Sequence, residues 1–279
     1  MESDKMTEQE PKTYRRVLTI AGSDSGGGAG IQADLKTFSA IGCYGMSVIT
    51  ALTAQNTIGV TSIHAVPGVF VQQQMEAVFS DIGTDAVKIG MLFSVELIEA
   101  VATQLKKHGI GNIVLDPVMV AQSGDKLLQD DAVEAIKTHL MPMADVVTPN
   151  LPEAAVLLNR KIRNADDLIA AARDLAQFGG KSILIKGGHL ENQQSTDWLY
   201  LVGEDRLVVL KGDFIRTRNN HGTGCTLSSA IAAHLAKGLK IEAAVRAAKV
   251  YIGEAIRAGA GYKLGAGHGP VHHFFNLWR

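Results

Sequence analysis

Short apolar runs alternate with longer amphipathic stretches along almost the whole of this 279-residue chain, and that alternation limits it to one fold class. Residues 17–21 (VLTIA) form a β-branched run that stops at Gly22. Residues 30–41 follow, with Ile31, Leu35, Phe38 and Ile41 at helical spacing. The same reading predicts strands at 44–54, 86–89, 112–115, 146–147 and 182–185. It predicts helices at 69–79, 95–105, 131–140, 152–158, 165–178, 223–237 and 241–258. Residues 198–202 and 206–210 flank Gly203 and read as an antiparallel pair. Strand, helix, strand in repeated order predicts an α/β chain with a central, mostly parallel sheet and helices on both faces. Such sheets hold ligands at the carboxyl ends of their strands. No internal repeat or Pro-rich linker interrupts the pattern, so residues 15–279 read as one domain behind a polar, disordered tail at 1–14.

Composition removes several classes of function. Lys plus Arg is 27 and Asp plus Glu is 28, a formal net charge of −1. That balance argues against nucleic acid or an anionic membrane as the main partner. No stretch resembles the apolar core of a signal peptide, and none approaches the ~18 apolar residues of a membrane helix. Cys43 and Cys225 are too few for a disulfide framework and fit a reducing cytoplasm.

Two glycine clusters stand out. The first, GSDSGGGAG at 22–30, follows a strand and opens a helix. Gly28, Gly30 and Ala33 fit G-x-G-x-x-A, but no acid lies between Asp34 and Glu76 to take ribose hydroxyls. Gly-Lys-Ser/Thr is also missing, so neither the dinucleotide loop nor the P-loop applies. What remains is a tight turn, or a loop whose bare backbone approaches a small ligand. The second cluster, HGTGCT at 221–226, precedes a helix. Amides at a helix N-terminus make an anion site, and Cys225 in the first turn is expected to have a lowered pKa. The plain alternative is a capping Thr beside a small buried Cys.

Polar residues recur where strands end. Asp116 closes the strand at 112–115, Thr148, Asn150 and Glu153 follow 146–147, and Lys186 closes 182–185. Each alone suits a turn or cap. On one rim, carboxylates suit Mg²⁺ and a lysine suits phosphate oxygens. With an anion hole they point to phosphoryl transfer, or to phosphate-ester binding without transfer. Residues 121–127, polar and containing Gly124, mark a candidate lid. His272 and His273 are neighbours whose side chains should point apart, which argues against a metal site.

At this point the motifs resemble a known family, the hydroxymethylpyrimidine/phosphomethylpyrimidine kinases of thiamine biosynthesis. They are AGSDSGGGAGIQADLKTFSAIGCYGMSVITALTAQNT (21–57), KIGML (88–92), LDPVM (115–119), TPNLPEA (148–154), KGGH (186–189), HGTGCTLSSA (221–230) and GPVHHF (269–274). The family is ribokinase-like, which implies a three-layer α/β/α fold, ATP and Mg²⁺ as cofactors, and a homodimer. The resemblance implies that Gly222, Thr223, Gly224 and Cys225 form the anion hole, with Cys225 standing where most ribokinase-like sugar kinases carry a catalytic Asp. It implies that Gln55 bonds the aminopyrimidine, and that Asp34, Gly22, Met91 and Val118 complete that pocket. Asn150 and Glu153 match the superfamily's N-x-x-E, which governs Mg²⁺ and phosphate. Thr148 belongs with them on the ATP side. Asp116 is expected to hold Mg²⁺ through water, and Lys186 to touch ATP phosphates. The implied substrates are hydroxymethylpyrimidine, its monophosphate and ATP. Related pyridoxine/pyridoxal kinases share the glycine motifs but depart at the position of Gln55, which favours the pyrimidine.

Overall fold

The computed structural model describes residues 12–119, 131–187 and 194–278. The candidate lid at 121–127, most of the tail and the second half of the KGGH motif fall outside them. Residues 12–14 are exposed.

The strands are β1 (Arg16–Asp24), β2 (Tyr44–Gln55), β3 (Val60–Ala65), β4 (Ala86–Ile89), β5 (Ile113–Leu115), β6 (Val146–Val147), β7 (Ser182–Lys186), β8 (Gln194–Leu201) and β9 (Arg206–Asp213). They form one sheet in the order β3-β2-β1-β4-β5-β6-β7-β8-β9. The strands from β2 to β7 are parallel, and β3, β8 and β9 add antiparallel pairs at the two edges. The chain starts in the middle of the sheet, builds one side, then returns to build the other. Such a reversal of strand order opens a crevice at the carboxyl ends.

Alternation along each strand sorts the core into two layers. Leu18, Ile20, Ile113, Leu115, Ile183 and Ile185 pack on one face, and Val17, Val114 and Leu184 on the other. Both faces are covered, which is why the central strands read as continuous apolar runs. The first layer carries α2 (Gly68–Ala77), α3 (Val95–Lys107), α5 (Leu151–Leu158) and α6 (Ala165–Ala176). The second carries α1 (Gly30–Ile41), α7 (Thr223–Ala236) and α8 (Ile241–Gly259). From Thr226 to Ala236 nearly every residue of α7 is buried, because the sheet, α1 and α8 surround it. The small residues of TLSSAIAA (226–233) are what permit that enclosure.

The predicted elements recur with shifted ends. Helix 131–140 is a single α-turn, α4 (Ala132–Ala135), followed by a π-helical turn, Ile136–Leu140. The stretch at 69–79 ends as α2 and passes into a second π-helical turn, Val78–Ile82. β8 and β9 are longer than expected, and β3 was not expected at all. β3 is mostly exposed, so it offers no apolar run. Its signal is the turn before it, where the Asn56 side chain accepts the N–H groups of Ile58 and Gly59. Among the described residues no helix is long and apolar enough to cross a membrane.

Phe38, on α1, is fully buried in the core of the second layer. Phe38→Ala is expected to cost about 3–5 kcal/mol by the cavity it leaves, read as a lowered denaturation midpoint at unchanged slope.

Candidate active site

Every strand end expected to carry chemistry meets on one rim. A cavity of about 510 Å³ opens there, lined by Gly22, Asp24, Gln55, Met91, Val118 and the loop from Asn220 to Cys225, with Asp116, Glu153 and Lys186 on its floor. A second cavity of about 410 Å³ lies beyond it, with Phe214, Ile215, Leu227, Ile252 and Ile256 among its apolar walls. Asn150, Lys186, Asn220, Thr223 and Gly224 line both. The two cavities therefore meet at the N-terminus of α7.

The two glycine clusters build this junction against each other. Gly222 is the N-cap of α7 at φ 79°, and a Cβ there would collide with the carbonyl oxygen of Gly28. Gly30, at φ 55°, opens α1, and a Cβ would strike the carbonyl oxygen of Gly22. Only glycine fits either place. Neither helix has a side-chain cap or an acid in its first turn. The amides of the first loop are not left for a phosphate. Asp24 accepts the N–H groups of Gly26, Gly28 and Ala29 at 2.8, 3.1 and 2.9 Å, and its Oδ2 lies 2.9 Å from His221 Nε2. The loop thus folds around its own carboxylate, which explains why it is neither a P-loop nor a dinucleotide loop. The amides at the start of α7 are the ones that open on both cavities.

Asp116, Lys186 and Glu153 form the charged floor. Lys186 Nζ lies 2.8 Å from Asp116 and 3.9 Å from Glu153. Burial works against the charge on Asp116, but Lys186 and Lys88 outweigh it and hold the carboxyl below its ordinary value. Glu153 has the opposite balance. Burial, with Asp116 as a like charge nearby, pushes it up to about 7 against the pull of Lys186. Asn150 and Glu153 also form a capping box: Asn150 Oδ1 accepts the Glu153 N–H at 2.8 Å, and Glu153 Oε2 accepts the Asn150 N–H at 2.7 Å. The N-x-x-E spacing is therefore first a helix start. It also brings Glu153 onto the cavity floor.

Three expectations need correction. Cys225 does not have a lowered pKa. Burial, the largest influence, pushes the thiol up to about 11, while Lys88 and the Gly30 N–H pull against it. Asp34 is not in the pocket wall. It is wholly buried below it, accepting Thr19 Oγ1 and Ser229 Oγ at 2.6 Å each and Lys88 Nζ at 2.9 and 3.0 Å. Thr148 reaches neither cavity. It is fully buried and its hydroxyl donates to Asp116 Oδ1 at 3.1 Å, so it orients that carboxylate.

Gly22, Gln55, Met91, Val118, Gly222, Thr223 and Gly224 all line the first cavity. The sequence reading missed Lys88, Asp24 and His221 there. A lysine inside the apolar strand AVKI was the available signal for Lys88. His272 and His273 do diverge. His273 is buried beside Thr226, and His272 packs between the rings of Tyr262 and Trp278.

Oxygen donors and a phosphate-bearing partner are what Mg²⁺ takes, with one or two carboxylates. Asp116 and Glu153 fit that description: two neighbouring carboxylates, one of them kept partly protonated near neutrality chiefly by burial. Among the described residues there is no cluster of three His, Cys, Asp or Glu to hold a metal alone. In the bare protein the proton on Glu153 has a stability consequence. A carboxyl whose folded pKa is raised binds more protons folded than unfolded, so stability falls as pH rises from about 4.5 through about 7. Glu153→Gln is expected to remove that part of the fall. Denaturant titrations at pH 5 and pH 8 read it: the wild-type difference should exceed that of the variant, and equal differences contradict the assignment.

Comparisons with known proteins agree with this geometry. The profile of the family described as phosphomethylpyrimidine kinase matches residues 24–272. A hydroxymethylpyrimidine/phosphomethylpyrimidine kinase of Rhizobium meliloti is 55% identical over 94% of this chain and 98% of its own. The solved phosphomethylpyrimidine kinase of Clostridium difficile is 48% identical, with a TM-score of 0.76 over 86% of this chain and 99% of that one. The ADP complex of Bacillus subtilis pyridoxal kinase is 37% identical, with a TM-score of 0.87 over 95% of this chain and all of that one. Family match, identity and a shared ribokinase-like fold lead to one conclusion: this chain belongs to the phosphomethylpyrimidine kinases.

Proposed function

We propose that this chain transfers the terminal phosphoryl group of ATP twice, first to the hydroxymethyl oxygen of 4-amino-5-hydroxymethyl-2-methylpyrimidine and then to the monophosphate so formed. The observation that carries this reading is the junction of two cavities at Lys186 and the N-terminus of α7. The first cavity, with Gln55 and Met91, suits a flat polar ring. The second, with its apolar wall of Leu227, Ile252 and Ile256, suits the nucleotide. A group passing between them must cross the amides of Gly222 to Cys225.

Roles follow from position. The amides at the start of α7 and the Lys186 ammonium offset negative charge on the phosphoryl oxygens. Asp116 holds Lys186 in line, and Thr148 and Ser228 hold Asp116. Glu153 and Asp116 are the residues for Mg²⁺, which when bound supplies positive charge to the phosphates. Gln55 pairs with the ring, and Gly22, Met91 and Val118 pack around it. The same reading includes a homodimer and a cytoplasmic setting, on the strength of the family resemblance. Pyridoxal kinase activity is the second reading, supported by the overlay on the Bacillus subtilis enzyme. Gln55 on the cavity wall favours the pyrimidine.

The two acceptors differ in what they ask of Cys225. An alcohol must lose its proton as it attacks, and a base beside it helps. A phosphate monoester, with a second pKa of about 6, is already ionised at neutral pH. With the thiol near 11, the thiolate is a minor species at pH 7 and grows about tenfold per pH unit. Cys225→Ala should therefore lower the first transfer by about 10²–10⁴-fold and the second by less than about tenfold. Above pH 8 the wild-type first transfer should still climb while the second stays level. Single-turnover rates for each acceptor test this. Equal losses would assign Cys225 to the shape of the anion hole instead.

A further inference from the structure

Asp24 and His221 take no part in the transfer just described, yet they stand directly behind Gln55. Asp24 is 3% exposed, and burial works against its charge. His221 and the backbone donors overcome that penalty and hold the carboxyl below its ordinary value. A carboxylate can only accept, so His221 Nε2, 2.9 Å away, carries a hydrogen.

That hydrogen constrains the Gln55 amide. Gln55 Nε2 lies 3.4 Å from His221 Nε2, which sets two donors face to face. At the other end, Gln55 Oε1 lies 3.0 Å from Thr53 Oγ1. Thr53 Oγ1 is also 2.9 Å from the carbonyl oxygen of Ser23, and a hydroxyl has one hydrogen for the two acceptors. Turning the amide over resolves both conflicts at once. Its NH₂ then donates to Thr53 Oγ1, whose own hydrogen goes to Ser23, and its oxygen faces the His221 Nε2–H at 3.4 Å, the longer arm of a bond shared with Asp24.

We infer that Asp24 and His221 are specificity-determining positioning residues: His221, fixed by Asp24, orients the Gln55 amide with its oxygen toward itself and its nitrogen toward Thr53. The amide then presents a lone pair and an N–H in a set order to the cavity. That order matches an amidine edge, an amino donor beside a ring-nitrogen acceptor, which an aminopyrimidine has and pyridoxine lacks. The inference rests on Gln55 being the ring contact.

A double-mutant cycle tests it in the full-length enzyme. Gln55→Met and Asp24→Asn should each raise the KM for hydroxymethylpyrimidine roughly tenfold. Each should lower the preference for it over pyridoxine, with KM for ATP within about twofold of wild type. In the Gln55→Met background, Asp24→Asn should add less than about twofold, because the amide it positions is gone. Losses that multiply overturn the inference while leaving Gln55 as the ring contact. An unchanged KM in Gln55→Met removes Gln55 from that role, and the inference falls with it. Asn at 24 could disturb the loop amides, so His221→Gln and His221→Ala make a second pair. Glutamine can still donate to Asp24 and should keep most of the preference, which alanine should lose. Equal behaviour of these two also overturns the inference.

Discussion

Lys88 and Asp34 meet with no exposure to water, 2.9 Å apart, where the sheet, α1 and α7 come together. Asp34 comes from α1, Lys88 from β4, and the two hydroxyls that complete the carboxylate's bonds come from Thr19 of β1 and Ser229 of α7. Four elements are thus fixed by one buried ion. Desolvating either charge alone is costly, and removing one partner of such a pair costs about 3–5 kcal/mol by stranding the other. The arrangement matters because α1 and α7 both point their N-termini at the cavity. Holding them on the sheet in register sets where the two glycine clusters touch.

The upper layer of charge is less settled by design. Asp116 is matched by Lys186 and stays ionised, whereas Glu153 keeps its proton to about neutrality. The bare site is therefore short of positive charge at one carboxylate and short of negative charge at the α7 amides. Under the proposed function, a cation and a polyphosphate arriving together would satisfy both. Cys225 sits between the layers, its thiol kept neutral by burial despite Lys88 nearby.

Much of this was legible in the residues. The apolar, β-branched runs located every central strand, because strands buried on both faces are mostly apolar, and Thr19 and Lys88 are taken up by the buried Asp34. The rim of Asp116, Asn150, Glu153 and Lys186 followed from topology alone. What stayed hidden depends on direction, which spacing does not carry. Asp34 and Thr148 lie at positions that could serve a ligand, yet both side chains turn inward to other protein groups. The helix-start argument for Cys225 was sound for a solvated thiol and failed because desolvation outweighs a helix N-terminus. Asp24 and His221 lie 197 residues apart, and only folding brings them into contact. β3 escaped because an exposed edge strand has no apolar signature.

The fold is shared with pyridoxal kinases, so the overlay alone does not choose the acceptor. The identity to hydroxymethylpyrimidine/phosphomethylpyrimidine kinases favours the pyrimidine, and Gln55 is the residue proposed to read it. The measurement that tests this most directly is ADP release from Mg²⁺-ATP with hydroxymethylpyrimidine, its monophosphate or pyridoxine as acceptor. Turnover of both pyrimidines, well above pyridoxine, is the predicted result. Turnover of pyridoxine alone, or of none of the three, would contradict the account.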